Sequence, residues 1–193
     1  MKGGMKRGMK RGLLLFVLLC QLLLACPVQA DQYERLYDSA LQASQTGDFQ
    51  QALPLWNQVL TLQPSDAAAL SNRGNVRLAL GDPDGAIADQ TQAMELAPME
   101  SDPHLNRGTA EEALQDWQAA AQDYLWILER DPEDASALYN LGNVRGSEDN
   151  WTAARSLFDQ AFLARPGFAM ARSSEALAAW QLGDLSWAEA ELR

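Results

Sequence analysis

Prolines recur along this chain at a fixed interval, and that interval constrains the fold more than any other feature of the sequence. Neighbouring members of the series are 34 residues apart: Pro64, Pro98, Pro132 and Pro166. A period of this length is typical of architectures in which one supersecondary unit cannot bury its apolar face alone and stacks against the next. The period therefore predicts a stack of short repeats.

Three further columns keep the same period. Two of them hold small residues, which let two helices approach closely: Ala40, Gly74, Gly108, Gly142 and Ala176, and Ala52, Ala86, Ala120, Ala154 and Ala188. The third holds residues whose side-chain oxygen can cap a helix N-terminus: Asp48, Asp82, Asp116, Asn150 and Asp184. Because proline cannot continue a helix, its column marks the end of a second helix. Each repeat is predicted to be a helix, a tight turn, a second helix and a short link.

The stretch LGDPDGAIADQ, residues 80–90, shows how one repeat turns. Gly81 lets the first helix end, Asp82 caps the second, and Pro83 takes its first position, where no N–H is needed. A calcium loop would need a ligand where Ala86 stands. The columns place four full repeats and one partial repeat at 33–66, 67–100, 101–134, 135–168 and 169–193.

Residues 1–30 differ in composition from the rest of the chain. MKGGMKRGMKRG carries five positive charges, and LLLFVLLCQLLLAC and PVQA follow it. A basic region, a short apolar region and small residues in this order are typical of a secretory signal peptide, here with cleavage before Asp31. Two alternatives remain open. One is lipidation of Cys26 at a loose lipobox, and the other is an uncleaved membrane anchor.

Residues 31–193 are strongly acidic. They hold 10 basic residues, all arginine, against 26 acidic ones, which leaves a net charge of −16. Such a surface repels nucleic acid and anionic lipid, so the favoured partners are proteins or peptides that are neutral or basic rather than acidic. Membrane attachment would require the uncleaved signal or a lipidated Cys26.

The set of reactive side chains argues against catalysis. Residues 31–193 have no cysteine and one histidine, His104, so neither a metal cluster nor a Cys–His pair can be assembled. His104 follows Pro103 in the opening turn of a helix, where a packing role is favoured. We therefore expect no enzyme activity, no catalytic residue, no metal and no cofactor.

A 34-residue helix-turn-helix with these columns resembles the tetratricopeptide repeat (TPR) family over residues 33–193. In repeat four the matching residues are Leu138, Leu141, Gly142, Ala154, Phe158, Ala161 and Pro166. The resemblance implies an all-α, right-handed superhelical solenoid of TPR repeats. Pro54 inside a second helix departs from the pattern, as do His104 and Arg172 where leucine is usual. More narrowly, HLNRGTAEEAL, ASALYNLGNVRG and GFAMARSS are similar to exported TPR proteins of the thylakoid lumen of cyanobacteria and chloroplasts.

The resemblance also implies a binding surface, because in TPR arrays the first helix of each repeat lines a concave groove. Register 6, counted from residue 33 as register 1, faces that groove; it holds Asp38, Asn72, Asn106, Asn140 and Ser174. Asn75 and Asn143, at register 9, lie one turn further along the same face. Amide side chains donate and accept, as does the backbone of an extended peptide. We expect a partner-binding groove formed by Asn72, Asn75, Asn106, Asn140 and Asn143.

Charged residues occur at two other registers of the same repeats. Register 7, which faces the second helix of the same repeat, holds Arg73 and Arg107, and register 23 of the same two repeats holds Asp89 and Asp123. A partly buried arginine needs a partner, so the ion pairs Arg73–Asp89 and Arg107–Asp123 are predicted. Repeats one and four carry no charge at either register. Repeat five has Glu175 and Glu191, two like charges, and its helix is expected to be held loosely.

The sequence thus predicts an exported scaffold, in the periplasm or the thylakoid lumen, that binds a peptide or protein, with assembly of a membrane complex as one such role. The alternative is a lipidated or membrane-anchored structural protein of the envelope. A repeat stack also needs a polar helix over its last apolar face. Trp187 and Leu192 have no following helix, so we expect the natural protein to continue or the chain to self-associate.

Overall fold

The structure, a computed structural model, describes residues 30–186. Every regular element in that range is an α-helix, and the first, α1, covers residues 30–45. Eight helices follow: α2 (Phe49–Leu62), α3 (Ala67–Ala79), α4 (Pro83–Leu96), α5 (Asp102–Ala113), α6 (Trp117–Leu128), α7 (Ala135–Ser147), α8 (Trp151–Ala164) and α9 (Ala169–Gln181). The predicted all-α repeat solenoid is confirmed.

The chain divides into two compact units, and the first ends at Pro64. In that unit the side chains of Ala40, Ala52 and Trp56 are fully buried. The Trp56 indole N–H donates to Ser44 Oγ at 2.9 Å, which ties α2 back to α1. α2 does not end at Pro54, the departure noted in the sequence, but continues through it.

In the second compact unit, which begins at Ser65, the helices pack in chain order. α3 packs on α4, α5 on α6 and α7 on α8, and each second helix also packs on the next first helix. In addition α3 contacts α5, and α5 contacts α7. The first helices α3, α5 and α7 therefore lie side by side in one layer, and this layer carries the predicted asparagines.

Glycines on the first helices set how closely each helix pair approaches. A Cβ added at Gly108 would lie 2.6 Å from Cε1 of Tyr124, and one at Gly142 would lie 2.5 Å from Cε1 of Phe158. In the preceding repeat a Cβ at Gly74 would lie 2.7 Å from an amide nitrogen, Nε2 of Gln90. These distances are shorter than van der Waals contact, so a larger residue would push the pair apart.

The predicted caps lie at the N-termini of the second helices. Each accepts a hydrogen bond from the backbone N–H three residues later, at 2.9–3.2 Å; these caps are Asp48, Asp82, Asp116 and Asn150. Gly81 has a φ of +82°, which ends α3, and α4 begins at Pro83 as predicted. Asp184 lies two residues before the end of the described range, and the N–H that it would cap lies outside that range, so its capping stays a prediction.

Two first helices are capped in the same way, although the repeat columns do not predict it. Asp66 accepts from the N–H of Ala69 at 3.0 Å, and Asp134 accepts from the N–H of Ala137 at 2.7 Å. The proline column follows the ends of α2, α4, α6 and α8 within two to four residues. The helix ends are therefore set by local capping and by proline.

Several predictions fall on residues outside the described range. They concern the signal segment up to residue 29 with Cys26, and Trp187, Glu191 and Leu192 at the other end. Within residues 30–186, no helix combines the length and the apolar character needed to cross a membrane.

Candidate functional site

All five predicted asparagines lie on first helices of the second compact unit, but they do not form one continuous site. Asn72 and Asn75 are on α3, Asn106 is on α5, and Asn140 and Asn143 are on α7. A surface cavity of about 360 Å³ between α3 and α5 brings together the first three of these. We call it the α3–α5 cavity.

Hydrogen bonds orient the amides around the α3–α5 cavity. Nδ2 of Asn72 donates to the main-chain oxygen four residues earlier at 2.9 Å, and Nδ2 of Asn106 donates to Ser71 Oγ at 3.1 Å. Gln90 Nε2 donates to the main-chain oxygen of Ser71 at 2.9 Å and to Asn75 Oδ1 at 3.1 Å. Because a carbonyl only accepts, the orientations of Asn72 and Gln90 follow from these contacts. Oδ1 of Asn72 and of Asn106 and Nδ2 of Asn75 are then left without a partner among the described residues.

The rim of the α3–α5 cavity is acidic. Glu100, in the link before α5, and Asp102, the first residue of α5, both line it. No basic side chain of the described residues lines this cavity. Its lining therefore combines acidic residues with asparagines.

Asn140 lies in a different environment, around the hydroxyl of Tyr124. Tyr124 is fully buried on α6, and its OH donates to Glu112 Oε1 at 2.5 Å. Asn140 hydrogen-bonds the same hydroxyl. Burial, and then the bond to Glu112, raise the pKa of Tyr124 above its ordinary value. Burial also raises the pKa of Glu112, and the bond from Tyr124 opposes that shift. Asn140 is thus half-buried and already engaged with Tyr124, so it is a weaker candidate for partner binding than predicted.

The sequence carries a signal for this cluster at registers 12 and 24. The predicted groove includes neither register. Tyr124 and Glu112 stand at registers 24 and 12 of repeat three, and repeat one has Trp56 and Ser44 at the same registers. That pair is also hydrogen-bonded, through the indole N–H. In these two repeats a donor on the ring at register 24 is therefore matched by an acceptor at register 12, whereas Gln90 of repeat two has Leu78 at register 12 and donates elsewhere.

A second surface cavity, of about 300 Å³, lies at the other end of the layer, between α7 and α9. We call it the α7–α9 cavity. Its walls are largely apolar, with polar groups from both first helices; they are Asn143, Gly146, Ser147, Trp151, Phe158, Ser174 and Leu177. Asn143 makes no side-chain hydrogen bond to another described residue, so its amide remains able to donate and accept.

The repeat relates the two cavities. Asn75 lines the α3–α5 cavity and Asn143 the α7–α9 cavity, and the two residues share register 9. Asn106 and Ser174 share register 6 and likewise line one cavity each. Residues at equal registers of stacked repeats face the same side, so both cavities open on one face of the second compact unit.

Beneath this face the structure pairs Arg73 with Asp89, as the sequence predicts. Arg73 donates from Nε to Oδ2 at 2.8 Å and from Nη2 to Oδ1 at 2.6 Å. Arg77 adds a contact that was not predicted, with its Nη1 3.0 Å from Asp89 Oδ2. One nearly buried carboxylate thus holds two arginines of α3.

Arg107 and Asp123 are brought together in the same geometry, at 2.7 Å (Nε to Oδ2) and 2.8 Å (Nη2 to Oδ1). Here the additional partner is His104, whose Nδ1 lies 2.8 Å from Asp123 Oδ1. The His104 ring is buried and stacks on Trp126 with centroids 3.7 Å apart. The departure from leucine at this position therefore supplies a partner for the buried carboxylate, and the histidine packs as expected.

Repeat five differs from the expectation of two unmatched like charges. Arg172, the other departure from leucine, donates from Nη1 to Glu175 Oε2 at 2.7 Å. Burial raises the pKa of Glu175, and Arg172 opposes the shift. The charge at register 7 is thus compensated one helical turn away on the same helix, while Glu191 lies outside the described residues.

Comparison with known proteins agrees with this architecture. A family model described as Tetratricopeptide repeat matches residues 37–98, 105–146 and 139–193. No curated protein matches the chain.

Three solved structures illustrate the likeness of fold. The chain is similar to the MamA protein, with 23% identity over 83% of this chain and 87% of MamA and a TM-score of 0.68. It is also similar to a tetratricopeptide repeat protein from Parabacteroides merdae ATCC 43184, with 23% identity over 82% of this chain and 63% of that one and a TM-score of 0.69. The third is YrrB, described as a TPR protein with an unusual peptide-binding site, with 22% identity over 79% of each chain and a TM-score of 0.60.

Proposed function

The chain belongs to the tetratricopeptide repeat family, and on that premise we propose that it is a scaffold that binds a peptide or protein along the face of its first helices. The observation that carries the proposal is the α3–α5 cavity. There, amide oxygens of Asn72 and Asn106 and the amide nitrogen of Asn75 are held in place and left available. An extended peptide offers backbone N–H and C=O groups that match such a set. YrrB, which shares the fold, is described as having a peptide-binding site.

We further propose that the partner is neutral or basic. Residues 31–193 carry a net charge of −16, and Glu100 and Asp102 stand at the rim of the cavity. An acidic partner would meet like charges both at long range and at the site, which slows association and weakens contact.

A role without catalysis fits the placement of His104. The imidazole is buried, stacks on Trp126 and is engaged with Asp123. These contacts hold α5 to α6, and the histidine lines neither cavity. We therefore propose binding, and no chemical step, as the function of the array.

Capture of the partner from the organism tests the scaffold proposal. The full chain is compared with the variant N72A/N106A and with Q92A/Q122A, which removes two amides from second helices, outside both cavities. Each lost hydrogen bond costs about 0.5–1.5 kcal/mol, so N72A/N106A should recover several-fold less partner at unchanged helicity. Equal recovery by all three proteins would exclude this face as the binding site.

We propose that the protein is exported to a periplasm or a thylakoid lumen, where assembly of a membrane complex is one role that such a scaffold would serve. The support is the order of basic, apolar and small residues in its first 30 positions. The alternative is a membrane-anchored envelope protein lipidated at Cys26. Mass spectrometry of the protein purified from its source distinguishes them: a chain that starts at Asp31 supports export with cleavage, and a fatty acid on Cys26 supports the alternative.

A further inference from the structure

The two cavities on the face of the first helices differ in chemistry, and we infer from this that a bound peptide is recognised at two points. The α3–α5 cavity takes a lysine or arginine side chain, and the α7–α9 cavity takes a leucine or phenylalanine side chain. The inference rests on the proposed function, because it names the kind of peptide that such a scaffold would select.

The α3–α5 cavity suits a cation because the atoms that it presents are mostly acceptors. Asn72 and Asn106 use their Nδ2 atoms internally, and their Oδ1 atoms have no partner among the described residues. Glu100 and Asp102 add two negative charges to its lining, and no arginine of the described residues lines the cavity to neutralise them. Lysine and arginine side chains carry donors and no acceptor, so they match this set, whereas an acidic side chain would meet only repulsion.

The α7–α9 cavity suits an apolar side chain because its walls are rings and a leucine. Trp151 and Phe158 come from α8, and Leu177 from α9 is 50% exposed, so a ligand would cover apolar surface that now contacts water. Gly146 keeps the cavity open, since a Cβ there would come within 3.1 Å of the Trp151 ring. A volume of about 300 Å³ accommodates one large side chain. Asn143 can hydrogen-bond the peptide backbone beside it.

The separation of the cavities fixes the separation of the two side chains. One cavity lies between α3 and α5 and the other between α7 and α9, so they are two first-helix spacings apart. Packed helices lie about 8–10 Å apart, which gives a distance of about 16–20 Å. An extended peptide advances about 3.3 Å per residue, so the basic and apolar residues should be about five or six positions apart.

Fluorescence anisotropy with labelled peptides tests the inference on the full chain. The peptides carry one lysine and one leucine at separations of two to nine positions, in both orders, in a background of serine and alanine. A matched set replaces lysine with serine, and a third replaces leucine with serine. The tightest binding is expected at a separation of five or six, in one of the two orders.

Two variants, each with a matched control, test which cavity binds which side chain of the peptide. E100Q/D102N should weaken binding of the lysine peptide about fivefold and leave the serine-for-lysine peptide unchanged, while E95Q/E133Q, which removes two carboxylates outside both cavities, should change neither. L177A should weaken binding of leucine peptides about fivefold, while L163A, at an exposed leucine of α8, should not. Circular dichroism verifies that each variant keeps its helicity.

The outcomes separate this inference from the proposed function. Peptides that bind equally well with lysine or serine, or at every separation, would overturn two-point recognition and leave peptide binding standing. If no peptide of the set binds, two-point recognition is likewise excluded. The natural partner's dependence on Asn72 and Asn106 then decides the scaffold proposal by itself.

Discussion

Arg73 and Asp89 join α3 to α4 through two parallel hydrogen bonds, and Asp89 is only 2% exposed. Arg77 contacts the same carboxylate at 3.0 Å. Repeat four has Leu141 and Leu157 at the equivalent positions, so this part of the fold is built either from an ion pair or from apolar packing. Such pairs need not be more stable than an apolar pair, but loss of one member leaves a buried charge.

The first prediction compares the loss of one member of the pair with the loss of both. Asp89→Ala should lower the free energy of unfolding by about 3–5 kcal/mol, because Arg73 and Arg77 lose their buried partner. The double change R73L/D89L, which copies repeat four, should cost much less, since Arg77 can turn toward solvent. Urea denaturation of the three proteins measures both values. Equal losses for the single and the double variant would contradict this view of the pair.

Two glycines at the same register should respond differently to alanine. At Gly108 the new Cβ meets the Tyr124 ring, which is fully buried and cannot move aside. At Gly74 it meets the amide end of Gln90, which is also buried and hydrogen-bonded but is a flexible side chain that can shift further than a ring. Alanine favours a helix over glycine by about 1 kcal/mol, and overpacking costs about 1–3 kcal/mol. Gly108→Ala should therefore destabilise the protein more than Gly74→Ala. A larger loss at Gly74 in thermal unfolding would show that the order is wrong.

Glu111 should make the stability of the fold depend on pH. Its Oε2 is buried and has no hydrogen-bond partner among the described residues. Burial, and then the negative charge of Asp123, raise the pKa of Glu111 from 4.5 to about 7, while Arg107 opposes the shift. The folded state therefore prefers the protonated carboxyl. The contribution of the protonated carboxyl to the free energy of unfolding is fully present below the ordinary pKa of 4.5. It is lost as the pH rises through about 7.

The variant Glu111→Gln stays neutral at every pH and so serves as the comparison. It should unfold at a higher temperature than the natural chain at pH 8 and at nearly the same temperature at pH 4.5. Calorimetry of both proteins across this range gives the difference. If the difference in unfolding temperature between the two proteins is the same at every pH, Glu111 does not titrate within this pH range.

Tyr124→Phe should destabilise the protein through Glu112. The substitution removes the donor at 2.5 Å and leaves the Glu112 carboxyl partly buried, at a cost of about 1–3 kcal/mol. Adding Glu112→Ala removes that group and approximates repeat four, where Phe158 is combined with Gly146. The double variant should recover part of the loss in urea denaturation. No recovery would indicate that the hydroxyl acts mainly through Asn140 or Thr109.

The helix pairs, their caps and the two ion pairs could be predicted because each depends on residues at fixed registers of one repeat. Asp82 caps the N–H of Gly85 three residues away, and Arg73 meets Asp89 because both registers face the same helix pair. Such relationships repeat with the 34-residue period. They can therefore be found by comparing repeats within one chain.

The environment of the asparagines could not be predicted in this way, because it depends on residues that break the period. Gln90 stands where repeats one, three and four have an aromatic ring, and its amide holds Asn75. Tyr124 carries a hydroxyl that Phe158 lacks, and it engages Asn140. The third partners, Arg77 and His104, come from different registers of the two repeats, so pairwise comparison of registers 7 and 23 does not find them.

The most direct test of the central claim is a site-specific photo-crosslink to the natural partner. A benzophenone side chain is introduced in place of Asn75, at the α3–α5 cavity, and separately in place of Glu95, a residue of α4 outside both cavities. Binding along the face of the first helices predicts a crosslinked partner from position 75 and none from position 95. A partner captured from position 95 and absent from position 75 would contradict it.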